Sequence, residues 1–168
     1  SQIWGRAVGW YAVAILDILE YIPKDHPDVS RLVDIELDLL RSLAKYQDEK
    51  TGMWFEVTDK PGCEGNWVES SCTNLFIYSY AKAIRMGYAE KDEFDEVLEK
   101  AYKGIENALY FDDDGYLVID YVCVGTCIDE GTYEHYINRE QIKNDLHGAG
   151  AFILMCAEMQ RYRNKFKN

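Results

Sequence analysis

Positive charge is scarce in this 168-residue sequence: 18 lysines and arginines stand against 30 aspartates and glutamates, a net charge of −12 at pH 7. A protein that grips a phosphate backbone needs the opposite balance, so no nucleic acid is expected as a partner. Long apolar runs are missing too. The longest, residues 148–157, is about half of the roughly 18 residues that a membrane span requires. No basic segment followed by an apolar run precedes Trp4 and Gly5, so nothing visible directs export. The five cysteines, Cys63, Cys72, Cys123, Cys127 and Cys156, are odd in number and widely spaced, which fits reduced thiols in the cytoplasm better than a disulfide framework. Cys123 and Cys127 with His135 nearby fall short of the four closely spaced ligands of a structural zinc site, so neither metal nor cofactor is expected. Only three prolines and 14% aromatic residues exclude a disordered chain. At about 150 residues per domain, the length predicts one domain over residues 1–168.

What is present is an alternation of two kinds of helical segment. Residues 5–22 carry only Arg6, Asp17 and Glu20 as charges, residues 72–86 only Lys82 and Arg85, and residues 148–159 only Glu158. Segments this apolar are predicted to be buried on most sides. Between them lie two amphipathic stripes, Leu32, Val33, Leu37, Leu40, Leu43, Ala44 and Phe94, Val97, Leu98, Ala101, Ile105, Leu109. The predicted class is therefore all-α, a curved double layer of alternating inner and outer helices. Residues 53–57 and 116–119, each after a glycine turn, read as short β-ribbons over one end. Pro23, Pro27, Gly52 and Gly87 mark connections, none of them a flexible linker. The helix-pair units 4–46 and 67–109 lie about 63 residues apart without a close side-chain repeat.

If alternate helices form the inner wall, they run in the same direction, and the residues leading into them converge at one end. The three lead-ins carry Trp4, Arg6 and Trp10; Trp67, Glu69, Ser70 and Ser71; and Asp145 and His147. Helix N-termini favour an anion there. Each residue also has a plainer role. Ser70, Ser71 and Asp145 are cap residues by type. The tryptophans suit a core, and His147 suits a satisfied core position. Arg6, in an otherwise apolar helix, needs an anionic partner. Glu69 or Asp145 could serve, although a bidentate fork suits a ligand carboxylate and that reading is preferred.

The string Trp4-Gly5-Arg6-Ala7-Val8-Gly9-Trp10-Tyr11, followed by Tyr21-Ile22-Pro23-Lys24-Asp25-His26-Pro27, closely resembles the unsaturated glucuronyl and rhamnogalacturonyl hydrolases of glycoside hydrolase families 88 and 105. Glu69-Ser70-Ser71, Tyr121-Val122-Cys123-Val124-Gly125-Thr126 and Asn144-Asp145-Leu146-His147-Gly148-Ala149-Gly150-Ala151-Phe152 match the same family in the same order. The resemblance implies an (α/α)6 toroid and removal of a 4,5-unsaturated uronic acid from the non-reducing end of a lyase-generated oligosaccharide. In that family an aspartic acid protonates C4 and water adds at C5, giving a hemiketal that opens and releases the remaining sugar. Arg6 and Trp10 match cavity positions, Arg6 near the uronate and Trp10 offering a face to the sugar, with His147 beside them. Trp4, Trp67, Glu69, Ser70 and Asp145 are further candidates for the substrate wall.

Family members are about twice this length, and the motifs here belong to their C-terminal half. The family's catalytic aspartate lies in the other half, and neither Asp17, Asp129 nor Asp145 matches its motif, so no catalytic residue is assigned. A general acid must reach its target directly. The expectation is half a toroid, inactive alone, with an unsaturated uronyl oligosaccharide as ligand and no membrane partner. Two alternatives are an independent glycosidase using Glu69 and Asp145 about 5 to 10 Å apart and a noncatalytic helical-repeat binding module. A half toroid leaves apolar surface around Val8, Ile15 and Leu19 and around Phe152, Ile153 and Met155, which predicts self-association or pairing with the absent half.

Overall fold

The computed structural model describes residues 2–126 and 130–167. Six helices, α1 Gly5–Tyr21, α2 Val29–Ala44, α3 Ser70–Met86, α4 Lys91–Asn107, α5 Tyr133–Ile137 and α6 Leu146–Phe166, accompany one antiparallel pair, β1 Leu109–Phe111 and β2 Leu117–Ile119. Among the described residues no helix is long and apolar enough to cross a membrane.

α3 is the axis of the molecule. Its almost unbroken apolar and small-polar sequence is buried from Ser70 to Ile84, packed between α1 and α6 with α4 behind it, and α2 covers the back of α1. α1, α3 and α6 are thus the inner layer and α2 and α4 the outer one, the double layer that the alternation predicts and a part of the (α/α)6 toroid that the resemblance implies. Two features set this packing. Gly9 lets α1 lie directly on α3, since a Cβ there would sit 2.7 Å from Leu75 Cβ and Cδ1. At the other end of α3, Gly87 adopts φ 81° and closes the helix with backbone bonds to Ala83 and Ile84. Only glycine takes that conformation without strain. Gly9→Ala is accordingly expected to cost about 1–3 kcal/mol through overpacking, read as a lower urea midpoint with an unchanged slope.

Between the layers, Trp54 is wholly buried, donates its indole N–H to Leu43 O at 2.8 Å, and packs on Phe76 and Tyr80. Tyr80 in turn donates to Leu40 O at 2.7 Å, so the aromatic core is also hydrogen-bonded to the outer helix.

The structure corrects several expectations. Residues 53–57 form no ribbon but only isolated bridges, Trp4 to Val57 and Phe55 to Val68, because the segment lies between two helix lead-ins and pairs with both. Leu109, placed at the end of an amphipathic stripe, starts β1 instead. α5 has no counterpart in the sequence pattern; five residues are too few for a periodic signal. α1 and α6 are not buried on most sides. α1 buries Gly5, Gly9, Ala12, Leu16 and Leu19 but exposes Tyr11 and Ile18, and α6 leaves Ile153 66% exposed. Of the residues expected at open faces, Ile15, Leu19 and Met155 are in the core; Ile153 is not.

Candidate functional site

The lead-ins to α1, α3 and α6 do meet at one end, around Arg6. Its side chain is 2% exposed. Nε donates to Ser71 Oγ at 2.6 Å, Nη2 to Glu69 Oε1 at 3.3 Å and to Cys123 O, and Nη1 to Val124 O at 3.4 Å. Trp4 lies under the guanidinium, 5.7 Å from ring centroid to Cζ. Arg6 is therefore not the open clamp that sequence reasoning preferred. Its anionic partner is Glu69, also fully buried, whose Oε2 accepts from Ser71 Oγ and the Cys72 N–H, both at 2.7 Å, while Oε1 accepts from the Cys123 N–H at 3.0 Å.

Glu69, not either serine, caps α3. Ser71 bridges Arg6 and Glu69, and Ser70 fixes the strap 120–124 across the helix end through its hydroxyl to Asp120 O and its N–H to Tyr121 O at 2.8 Å. Tyr121 sits at φ 56° in that strap, a conformation a non-glycine side chain disfavours and the surrounding bonds must hold. Enclosed in this way, Glu69 cannot face a sugar, which removes the pairing of Glu69 with Asp145 as an independent glycosidase.

Asp145 caps α6, accepting from the His147 N–H at 3.0 Å, and its Oδ1 lies 2.7 Å from His147 Nδ1. Burial opposes ionisation of Asp145, but the His147 backbone and ring and the nearby Arg6 outweigh it and hold the carboxyl below its usual value. The His147 ring is half exposed, so it is a rim residue rather than a core one. Gly125 makes room for it: a Cβ there would be 2.9 Å from its Cε1. Trp10, one turn along α1 from Arg6, is 42% exposed. Trp4 is half-buried and stacked on Tyr136, and Trp67 is also half-buried, its backbone carbonyl accepting from the Glu56 N–H. The exposed members of the set are thus Trp10 and His147, backed by the fixed Arg6, Glu69 and Asp145.

Sequence reasoning missed Glu56. It is fully buried behind Arg6, with neither carboxyl oxygen in a well-formed hydrogen bond. Burial and the Glu69 charge push its carboxyl up to about 8, against the pull of Cys123, Arg6 and Trp4. A glutamate in an otherwise apolar run, Met53-Trp54-Phe55-Glu56-Val57, was the available signal. Cys127 and Asp129 lie outside the described residues.

The Glycosyl Hydrolase Family 88 model matches residues 1–163. A glycoside hydrolase of family 105 from C. acetobutylicum ATCC 824 superposes with a TM-score of 0.90 at 30% identity, over 95% of this chain and 46% of that one. The 24.9 kDa protein in the picA locus of Rhizobium radiobacter is 28% identical over 93% of this chain and 71% of its own length. An unsaturated 3S-rhamnoglycuronyl hydrolase of Alteromonas sp. (strain LOR) is 27% identical over 93% of this chain and 35% of its own. The chain therefore spans less than half of the solved enzyme and about a third of the Alteromonas one.

Proposed function

Because the chain belongs to Glycosyl Hydrolase Family 88, a family of carbohydrate hydrolases, we propose that its three converging lead-ins are one wall of a site for the 4,5-unsaturated uronic acid at the end of a lyase-generated oligosaccharide. The observation that carries this reading is the exposed pair Trp10 and His147 beside the only one of the three lead-in helices without a side-chain cap, α1. The Gly5 N–H of α1 is taken by Glu56 O at 2.9 Å, but no side chain caps the turn; a helix N-terminus favours an anion such as a uronate, and the indole offers a flat apolar face to the sugar ring. His147, held by Asp145, is the hydrogen-bonding group on the rim. Arg6 is a positioning residue, acting through the strap it fixes.

The reaction is hydration of the vinyl ether: a proton goes to C4, water oxygen bonds to C5, and the resulting hemiketal opens and releases the remaining sugar. No aspartate of this chain matches the family's acid, so that proton comes from outside it. Residues 1–168 alone should leave the ultraviolet absorbance of the C4=C5 bond in unsaturated rhamnogalacturonan disaccharide unchanged. Carried within a full-length family chain, they should consume it. There Trp10→Ala should lower kcat/KM about tenfold, roughly 1.4 kcal/mol, without moving Tm. Turnover by residues 1–168, abolished by one Asp or Glu substitution, would overturn this assignment.

A further inference from the structure

The loop that follows α2 and the strap 120–124 enclose a groove at the C-terminal end of α4, with a volume of about 200 Å³. Met53 and Ala108, both buried, and the half-buried Val68 make its floor, and Thr51, Asn107 and Tyr121, all exposed, make its rim. Among the described residues none from α1 or α6 lines it. The groove is therefore separate from the exposed sides of those helices and from Trp10 and His147.

Both walls are held in place by the fold. Two glycines let the loop lie on α4: a Cβ on Gly52 would sit 2.3 Å from Lys100 O, and one on Gly104 would sit 2.3 Å from Thr51 O. Gln47 pins that contact, its Nε2 donating to Gly52 O at 2.8 Å and to Val97 O at 2.9 Å. Asp48 holds the turn, accepting from the Thr51 N–H at 2.8 Å and from its hydroxyl at 2.7 Å. On the strap side the Asp120 N–H donates to Ala108 O at 3.1 Å, the Tyr121 N–H to Asp120 Oδ1 at 2.8 Å, and the Ser70 N–H to Tyr121 O at 2.8 Å. Any residue supplies the two backbone groups of Tyr121, and glycine would supply them at φ 56° without strain. What the tyrosine adds is its ring, 41% exposed and lining the groove. Strain held at an exposed aromatic beside a cavity points to a ligand rather than to packing.

The lining selects a class of ligand. A volume of about 200 Å³ falls below the roughly 300 Å³ at which sites for drug-sized ligands begin, so it takes a single ring. The phenol of Tyr121 offers a flat apolar face and a hydroxyl, the floor accepts C–H groups, and Asn107 and Lys50 bring an amide and an ammonium to the rim. An apolar face ringed by hydroxyl-binding groups suits a pyranose. Glu49 and Glu106 stand next to Lys50 and Asn107 in the chain and disfavour a second uronate there. We propose that the groove is a subsite for one neutral pyranose unit, reached by the end of the strap opposite Cys123 and Val124, which Arg6 holds. The subsite rests on the chain's membership of a carbohydrate hydrolase family and not on the uronate site at Trp10 and His147.

The test titrates the nitrogen-labelled chain with the methyl glycosides of galactose, glucose and rhamnose and, separately, with glucuronate, following backbone amide shifts. At least one neutral glycoside should shift Gly52, Asn107 and Tyr121 saturably with a millimolar Kd, and glucuronate should not. Tyr121→Gly should weaken that binding at least about tenfold, while Tm holds or rises because the strained φ is released. Asn107→Ala, which leaves the strap alone, should weaken it about threefold to tenfold. The subsite is overturned if no neutral glycoside shifts these amides, if glucuronate binds as well, or if Tyr121→Gly binds like the wild type. Should Tyr121→Gly melt earlier and also lose binding, Asn107→Ala decides. Trp10→Ala should leave the binding in the groove unchanged, so this subsite and the uronate site fail separately.

Discussion

Arg6→Ala should lower the unfolding free energy by about 3–5 kcal/mol, because it leaves the buried Glu69 charge without its partner. In a chain of this size each kcal/mol moves Tm by roughly 2–4 °C, so melting at fixed protein concentration should fall by roughly 6 to 20 °C. Three further bonds to Ser71, Cys123 O and Val124 O are lost with it. The paired change Arg6→Met with Glu69→Leu should recover most of the loss, since replacing both buried charges by apolar groups of similar volume is often close to neutral. An Arg6→Ala protein with unchanged Tm and impaired sugar binding would return the guanidinium to the ligand and refute its structural role.

A second large effect concerns pH. Glu36 on α2 is buried with neither carboxyl oxygen hydrogen-bonded, and burial pushes it up to about 8; Glu56 is pushed to about the same value. The unfolded chain releases both protons near the ordinary value of 4.5, whereas the folded one keeps them to about 8. Between those limits the native state holds more protons, so stability falls as pH rises. Each proton held in the fold and not in the unfolded chain removes about 1.4 kcal/mol of stability for every unit the pH climbs, so each group accounts for several kcal/mol across that interval. Glu36→Gln should flatten the decline by its share, and Glu36→Gln with Glu56→Gln should flatten it most, in denaturant titrations at pH 5 and pH 8.5. Stability that rises over this range in the wild type would show that both carboxyls are ionised in the fold.

The layering was legible because it rests on periodicity: α3 could be assigned as buried from a run with only Lys82 and Arg85 charged, and α2 and α4 as outer helices from their stripes. Convergence of the lead-ins followed from helix direction alone. The partners of Arg6 were not legible. Glu69 and Asp145 were equally available by type, and the choice depends on a strap, residues 120–124, whose backbone carbonyls leave no trace in side-chain pattern. Whether His147 would be a core or a rim residue was not legible for a similar reason, since room for its ring on the rim is made by Gly125, more than twenty residues earlier. Open apolar faces on α1 and α6 were expected, but not which residues form them: Ile15, Leu19 and Met155 are buried, and Tyr11, Ile18 and Leu146 stand exposed beside Ile153. Glu36 and Glu56 break their local patterns and could have been flagged on that ground.

The bonds of Arg6 also set an order of events during synthesis. Its partners lie 63 to 118 positions further along the chain. Glu69 and Ser71 arrive with α3, but the last two acceptors of the guanidinium, Cys123 O and Val124 O, come only with the strap more than fifty residues later. Contacts of this span are slow to form, because the chain entropy of the intervening loop must be lost first. α3 with α4 can pair as soon as each emerges, and α2 can cover the back of α1, whereas the enclosure of Arg6 beside Glu69 is completed only with the strap.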